Sequence, residues 1–230
     1  MVTLVVLAIL LLIGVPAMQT LLLDNRMTSR MNALSASLQL VRAEAVKRNG
    51  TALLLPGQGC RGGGAASSST ANNNVADGGC AGDWADGWTG YVERDGAEGL
   101  GVSTGTPGEG CHQVDRTSPD SYAAGASTGT ATVDCLLWQE PALTEITLKA
   151  HAGTDGSATT TVTGIEFSSA GAPTCLFDTG KAPACYSVFV FCDSRGASAA
   201  RALLLSTSGH VTPTKNDPQE NPLTCPAPVP

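Results

Sequence analysis

Hydrophobic and polar positions divide the chain into three regimes. Residues 1–23, MVTLVVLAILLLIGVPAMQTLLL, carry no charged side chain. From Leu23 onward the apolar positions narrow to a stripe: Leu23, Met27, Met31, Leu34, Leu38, Val41 and Ala45, spaced 4, 4, 3, 4, 3 and 4. That spacing is the period of one helix face. Opposite it lie Arg26, Arg30, Gln39, Arg42 and Lys47, expected to face solvent. Asn49-Gly50 then offers residues that tolerate a left-handed helix stop. The pattern predicts one helical rod from about Val2 to Asn49, apolar all round in its first half and amphipathic in its second. Leu34, Leu38, Val41 and Ala45 are expected to bury against strands drawn from residues 144–206.

Beyond residue 50 the period shortens. Candidate strands are 51–55, 88–93, 144–149, 159–167, 186–192 and 201–206, the last four by alternation or by β-branched and aromatic enrichment. In the strand at 186–192 Val188, Val190 and Cys192 alternate with Phe189 and Phe191, so both of its faces are expected to be covered. Asp193-Ser194-Arg195-Gly196 reads as the turn that follows it. Segments of about 57–87 and 98–135 are rich in Gly, Ser, Ala, Asn and Thr. They are long for structureless loops in a compact domain, and read as disulfide-pinned surface loops, as loop insertions that meet a partner, or as linkers with no role of their own. Residues 213–230 form a proline-rich, extended tail. The expected fold is α+β: a long N-terminal helix, comprising a membrane anchor and an amphipathic spine, packed on an antiparallel β-sheet head. Its regions are an anchor at 1–23, a spine at 24–50 and the β-rich head at 51–230.

The anchor reading rests on length. About 20 apolar residues span a bilayer, and Met1–Met18 supplies eighteen residues with Thr3 as the one hydroxyl. Gly14 and Pro16 interrupt the run, and an interior proline removes a helix hydrogen bond and kinks the chain. A secretory signal peptide would carry a basic start and a small-x-small cleavage site. No lysine or arginine precedes the run here and Val15-Pro16-Ala17 is a poor cleavage site, so a signal peptide is the lesser alternative to an anchor. A buried core helix fits less well, because the run is apolar on every side.

Residues 1–50 resemble the N-terminal region of type IV pilin-like proteins, and within them the GspH/FimT group of minor pilins and pseudopilins. The matching pieces are the apolar run ending in Gly14-Val15-Pro16, the pair Asn25-Arg26, and Leu40-Val41-Arg42-Ala43-Glu44-Ala45 closing in Lys47-Arg48-Asn49. Gly87-Trp88 leading into a strand at Tyr91-Val92, and a strand pair ending at Ser208-Gly209-His210-Val211, also fit. The resemblance is strong over residues 1–55 and patchy beyond. It implies a subunit that primes, joins or caps a type IV pilus or a type II secretion pseudopilus. Its partners would be other pilins or pseudopilins met through the N-terminal helix, and the inner membrane. Family members begin with a basic leader, a glycine and a phenylalanine-led segment that contains a glutamate. This sequence starts about six residues inside the corresponding mature helix, so the cleavage site and glutamate are expected upstream of Met1.

Charge and cysteines refine the picture. The net charge is −7. Residues 1–50 hold five basic and two acidic side chains; residues 51–230 hold eight and eighteen, giving an acidic head of −10. An acidic surface disfavours phosphate backbones and anionic membranes. Eight cysteines, none in a C-x-x-C pair, point to disulfides in an oxidising compartment. Sequence order offers the pairing Cys60–Cys80, Cys111–Cys135, Cys175–Cys185 and Cys192–Cys225, one of 105 connectivities. Together with the resemblance, this leads to an expected location in the inner membrane by a single pass, with the head in the periplasm or on an extracellular filament.

Catalytic and metal chemistry find no support. His112, His151 and His210 are scattered, with no H-E-x-x-H spacing. No phosphate loop or G-x-S-x-G elbow is present. Asp83, Asp86, Glu93 and Asp95 lack the EF-hand spacing. Trp84 and Trp88 read as packing anchors between sheet and spine. No cofactor, no metal and no enzyme activity are expected. Two function classes stay open beside each other. One is a structural minor pilin; the other is a tip-located binding pilin that captures DNA for uptake or recognises a secretion substrate. A disulfide-bonded secreted or membrane-tethered domain outside any filament is a third. DNA-binding members of the resembled group carry Gly-Arg-x-Arg near the C-terminus. The matching positions here are Gly209, His210, Val211 and Thr212, so nucleic-acid binding is expected to be weak at most.

Overall fold

The computed structural model describes residues 2–57, 83–92, 135–152, 160–177, 180–183, 185–216 and 222–225, with the backbone alone for residues 2, 4–17, 135, 136 and 180. One helix, α1 (Val2–Arg48), runs for 47 residues through Gly14 and Pro16. At 1.5 Å per residue it is about 70 Å long. Lys47 and Arg48 lie in its last turn, where cations meet the negative end of the helix dipole. Asn49 takes a left-handed φ of 50°. The Gly50 N–H then donates to the Ala45 carbonyl at 3.0 Å and closes the helix.

Eleven strands follow among the described residues: β1 (Ala52–Pro56), β2 (Trp88–Val92), β3 (Cys135–Glu140), β4 (Ile146–Ala152), β5 (Thr160–Thr161), β6 (Gly164–Phe167), β7 (Pro173–Phe177), β8 (Gly180–Pro183), β9 (Ser187–Asp193), β10 (Arg201–Leu205) and β11 (Val211–Thr214). They make two sheets, ordered β3-β2-β1-β6-β7-β8 and β11-β10-β9-β4-β5. Every pairing is antiparallel. The antiparallel head is thus built from two sheets, with the helix packed on both.

The expected strand at 159–167 is divided between them. Thr160–Thr161 pairs with β4 in the second sheet, and Gly164–Phe167 pairs with β1 and β7 in the first. Between them the Val162 N–H donates to Ala150 of β4 and the Thr163 N–H donates to Leu176 of β7. Residues 162 and 163 are the crossover, and the alternation that continues through them conceals it.

The main core lies where α1 meets both sheets. Leu34, Val41 and Ala45 are fully buried, and Leu38 is nearly so, among Leu54, Trp88, Ile165, Leu148, Phe189 and Leu205. The helix contacts β1, β2 and β6 of one sheet and β9 and β10 of the other. Its seat is therefore wider than strands from 144–206, because the turn at Asn49-Gly50 sends the chain straight back along the helix as β1. Strand β9 is covered on both faces: Phe189 and Phe191 join the main core, while Val188 and Cys192 join a smaller cluster with Ala200, Ala202 and Leu223.

Among the described residues, two disulfides staple this arrangement. Cys175 in β7 bonds Cys185, with Cα atoms 5.5 Å apart, so the bridge ties β7 to the connection that leads from β8 into β9. Cys192 in β9 bonds Cys225 with Cα atoms 5.8 Å apart and ties the tail across the second sheet. Leu223 of that tail is buried against Val188, Cys192, Ala200 and Ala202. Cys60, Cys80 and Cys111 lie outside the described residues, as do Glu93, Asp95, His112 and most of both insertions.

Candidate assembly helix and its seat on the head

The side chains of α1 have two environments. Met27, Met31, Leu34, Leu38, Val41 and Ala45 face the head. Toward the N-terminus Leu23 is half-buried, while Met18, Leu21 and Leu22 are 61%, 59% and 50% exposed. The head's apolar grip on the helix therefore begins at Met27. Among the described residues no helix is long and apolar enough to cross a membrane; the side chains of 4–17 lie outside that description.

Polar contacts fix the seat. Ser37 is buried in the interface, and its hydroxyl accepts the indole N–H of Trp88 at 2.9 Å and that of Trp138 at 3.3 Å. Trp138 has room because Gly90 lies opposite it; a Cβ there would come within 2.5 Å of the indole. Trp84 makes its contacts elsewhere. Its N–H donates to the Val162 carbonyl at 2.7 Å, at the crossover between sheets, and its ring stands edge-on to Phe189 at 5.1 Å. Trp88 thus joins sheet to helix, whereas Trp84 joins the turn Trp84–Asp86 to the second sheet.

Arg42 departs from the solvent-facing expectation. It is half-buried and donates to the Gly209 carbonyl at 3.2 Å. Two similar turns meet over it, Ser168–Gly171 and Ser206–Gly209. In each the glycine N–H returns to the serine carbonyl at 2.8 Å, with glycine φ of 74° and 78°. A Cβ on Gly171 would lie 2.9 Å from Arg42 Nε, and one on Gly209 would lie 2.8 Å from the Gly171 carbonyl oxygen. The first turn belongs to the β6–β7 hairpin and the second to the β10–β11 hairpin, so Arg42 sits where the two sheets converge on the helix. A Ser-x-x-Gly repeat was the sequence signal for these twin turns.

Ion pairs complete the seat. Arg26 pairs with Glu145. Arg195 Nη2 lies 2.9 Å from Asp24 and 2.6 Å from Asp193. The Asp193 hydrogen bonds raise the Arg195 pKa further above its ordinary value, against burial and with help from Asp24. Burial pushes the Asp193 carboxyl up, but hydrogen bonds from Arg195 outweigh it and hold the group below the usual carboxylate range. Glu44 behaves likewise: burial opposes ionisation, and Arg48 with Lys47 overcomes it. Asp83 accepts from the Ala85 N–H to cap the short turn and pairs with Lys149. Among the described residues no group of His, Cys, Asp and Glu is placed to hold a metal ion.

No family model and no curated protein matches the chain. Among solved structures, two crystal forms of the Pseudomonas aeruginosa type IV minor pilin FimU are similar. One covers 85% of this chain and 95% of its own, at 16% identity and a TM-score of 0.44. The other covers 84% and 98%, at 16% identity and a TM-score of 0.42. Similarity at this level bears on neither activity nor partners.

Proposed function

We propose that this chain is a structural minor pilin or pseudopilin: its N-terminal helix holds it in the inner membrane and enters a filament, and its head stands on the outer side. The observation that carries the reading is Met18, Leu21 and Leu22, large apolar side chains left exposed where α1 runs beyond the head. Exposed apolar surface of this kind marks contact with protein or lipid. The resemblance over residues 1–55 supports the same reading. The disulfides fit an oxidising compartment. Pilus and secretion pseudopilus remain equal readings of this architecture.

DNA capture is the weaker reading. His210 and Thr212 stand where the resembled DNA-binding members carry arginine, and affinity for phosphate backbones needs such cations. The test is fractionation of native cells, N-terminal sequencing and recovery of sheared filaments. The expected result is protein in the inner membrane and in filaments with residues 1–23 attached. A mature form starting near Met18 and free in the periplasm would overturn it. Submicromolar DNA binding at about 150 mM salt would move capture to the front.

A further inference from the structure

We propose that two oppositely directed ion pairs form a clasp that sets the direction in which α1 leaves the head, and that rising ionic strength loosens it. Full apolar burial of the helix begins at Met27, with Leu23 half-buried before it. Just before that point the helix offers Asp24 to Arg195 of the head, and Arg26 to Glu145 of the head. Two residues along an α-helix turn it through about 200°, so the pairs grip α1 from nearly opposite flanks. Their polarity is reversed: helix anion to head cation on one flank, helix cation to head anion on the other. Rolling the helix or sliding it by a turn breaks both pairs at once.

Both head partners are set in place by their surroundings. The Arg195 guanidinium is forked onto Asp193, with Nε at 3.2 and 3.0 Å from the two carboxylate oxygens and Nη2 at 2.6 Å. The Asp193 side chain is itself only 1% exposed, so this anchor lies inside the head. Glu145 holds a φ of 62°, a left-handed conformation that non-glycine residues adopt uncommonly and that persists where the surroundings impose it. From that conformation it meets Arg26. Asp24, Arg26 and Glu145 have side chains more than half exposed, so each pair is modest and screened by salt. The clasp orients the helix; it does not hold the head together. It stands whatever the chain assembles with.

Hydrogen exchange of the full chain in detergent micelles tests this, followed by mass spectrometry at low and at high salt. The amides of residues 18–26 report the clasp, and those of residues 34–45 report the core. Arg26→Glu, or Glu145→Arg, is expected to speed exchange across 18–26 about threefold at low salt. The combined swap restores the original rate. High salt brings all variants together, and residues 34–45 exchange alike throughout. Glu145→Gly separates clasp from packing: it relieves the left-handed backbone and keeps the head's melting temperature, yet loosens 18–26. Unchanged exchange in the single reversals, a swap without rescue, or acceleration spread equally through 34–45 would each overturn the proposal.

Discussion

Trp88 donates its indole N–H to the Ser37 hydroxyl, 2.9 Å away, across the interface between β2 and α1. Trp138 of β3 donates to the same oxygen at 3.3 Å, and a hydroxyl has lone pairs for both. A serine inside an otherwise apolar stripe thus satisfies two indoles, one of them fully buried. Ser37→Ala is expected to cost about 1–3 kcal/mol, the cost of leaving a buried donor unpaired. Denaturant unfolding measures it. Adding Trp88→Phe to Ser37→Ala should cost less than the two changes summed, because the orphaned donor goes with the indole. Full additivity would mean the bond contributes nothing.

Leu38 and Leu40 are two residues apart and point in opposite directions: Leu38 is 1% exposed and Leu40 is 47% exposed. Leu38→Ala is expected to cost about 2–5 kcal/mol, and Leu38→Asp to unfold the head by burying an unpaired charge. Leu40→Asp should leave head stability within about 0.5 kcal/mol. Thermal melts of the three variants decide this. A head that keeps its melting temperature with Leu38→Asp would mean the wrong helix face has been placed inward.

The helix was legible because one physical rule wrote it. Met27 to Ala45 recur at the helical period, and all six stripe residues from Met27 onward are buried. The strands were legible where alternation or aromatic density was strong, as in β4 and β9. They were illegible where chemistry pointed elsewhere. Strand β7 begins with Pro173, and β8 begins with Gly180 and ends with Pro183, so both read as loop. Strand β3 follows a long Gly/Thr-rich stretch that hides its start. Charge alone points Arg42 to solvent, but its guanidinium lies against the twin glycine turns, a contact made by residues far apart in the chain. The ion pairs at Glu145 and Arg195 were equally invisible, since both depend on which turns surround the helix.

Gly209 and Gly196 separate conformational cost from steric cost. Both have positive φ, 78° and 74°. A Cβ on Gly196 meets nothing within 4 Å, whereas one on Gly209 lies 2.8 Å from the Gly171 carbonyl oxygen and 3.1 Å from Arg42 Cζ. Gly196 also has a ψ of −156°, a region essentially confined to glycine, so Gly196→Ala should cost about 1–3 kcal/mol from backbone strain alone. Gly209→Ala should cost clearly more, because backbone has to move and Arg42 is displaced. Equal losses in an unfolding titration would contradict the convergence of the two turns on Arg42.

His151 gives the head a pH dependence of definite sign. It is half-buried in β4, facing Thr161 of β5 and Val188 of β9 across the ladder, with its Nδ1 buried and unpartnered among the described residues. Burial, helped by Lys149 on the same strand, lowers its pKa below the ordinary value of 6.5. The folded state thus favours neutral imidazole more than the unfolded chain does. The resulting contribution is complete above the unfolded pKa and is lost as pH falls through the folded one. Melting temperature should be level near pH 7 and decline from about pH 6.5 downward. Asp193 and Glu44, whose carboxyl pKa values are also lowered, have the same sign but act at lower pH. Their contribution is present above the unfolded carboxylate values of about 4 and fades below them. His151→Gln keeps a neutral polar group and should flatten the decline between about pH 6.5 and 5 while leaving the steeper loss below about 4. A decline that survives His151→Gln unchanged in the upper window would assign it to another group.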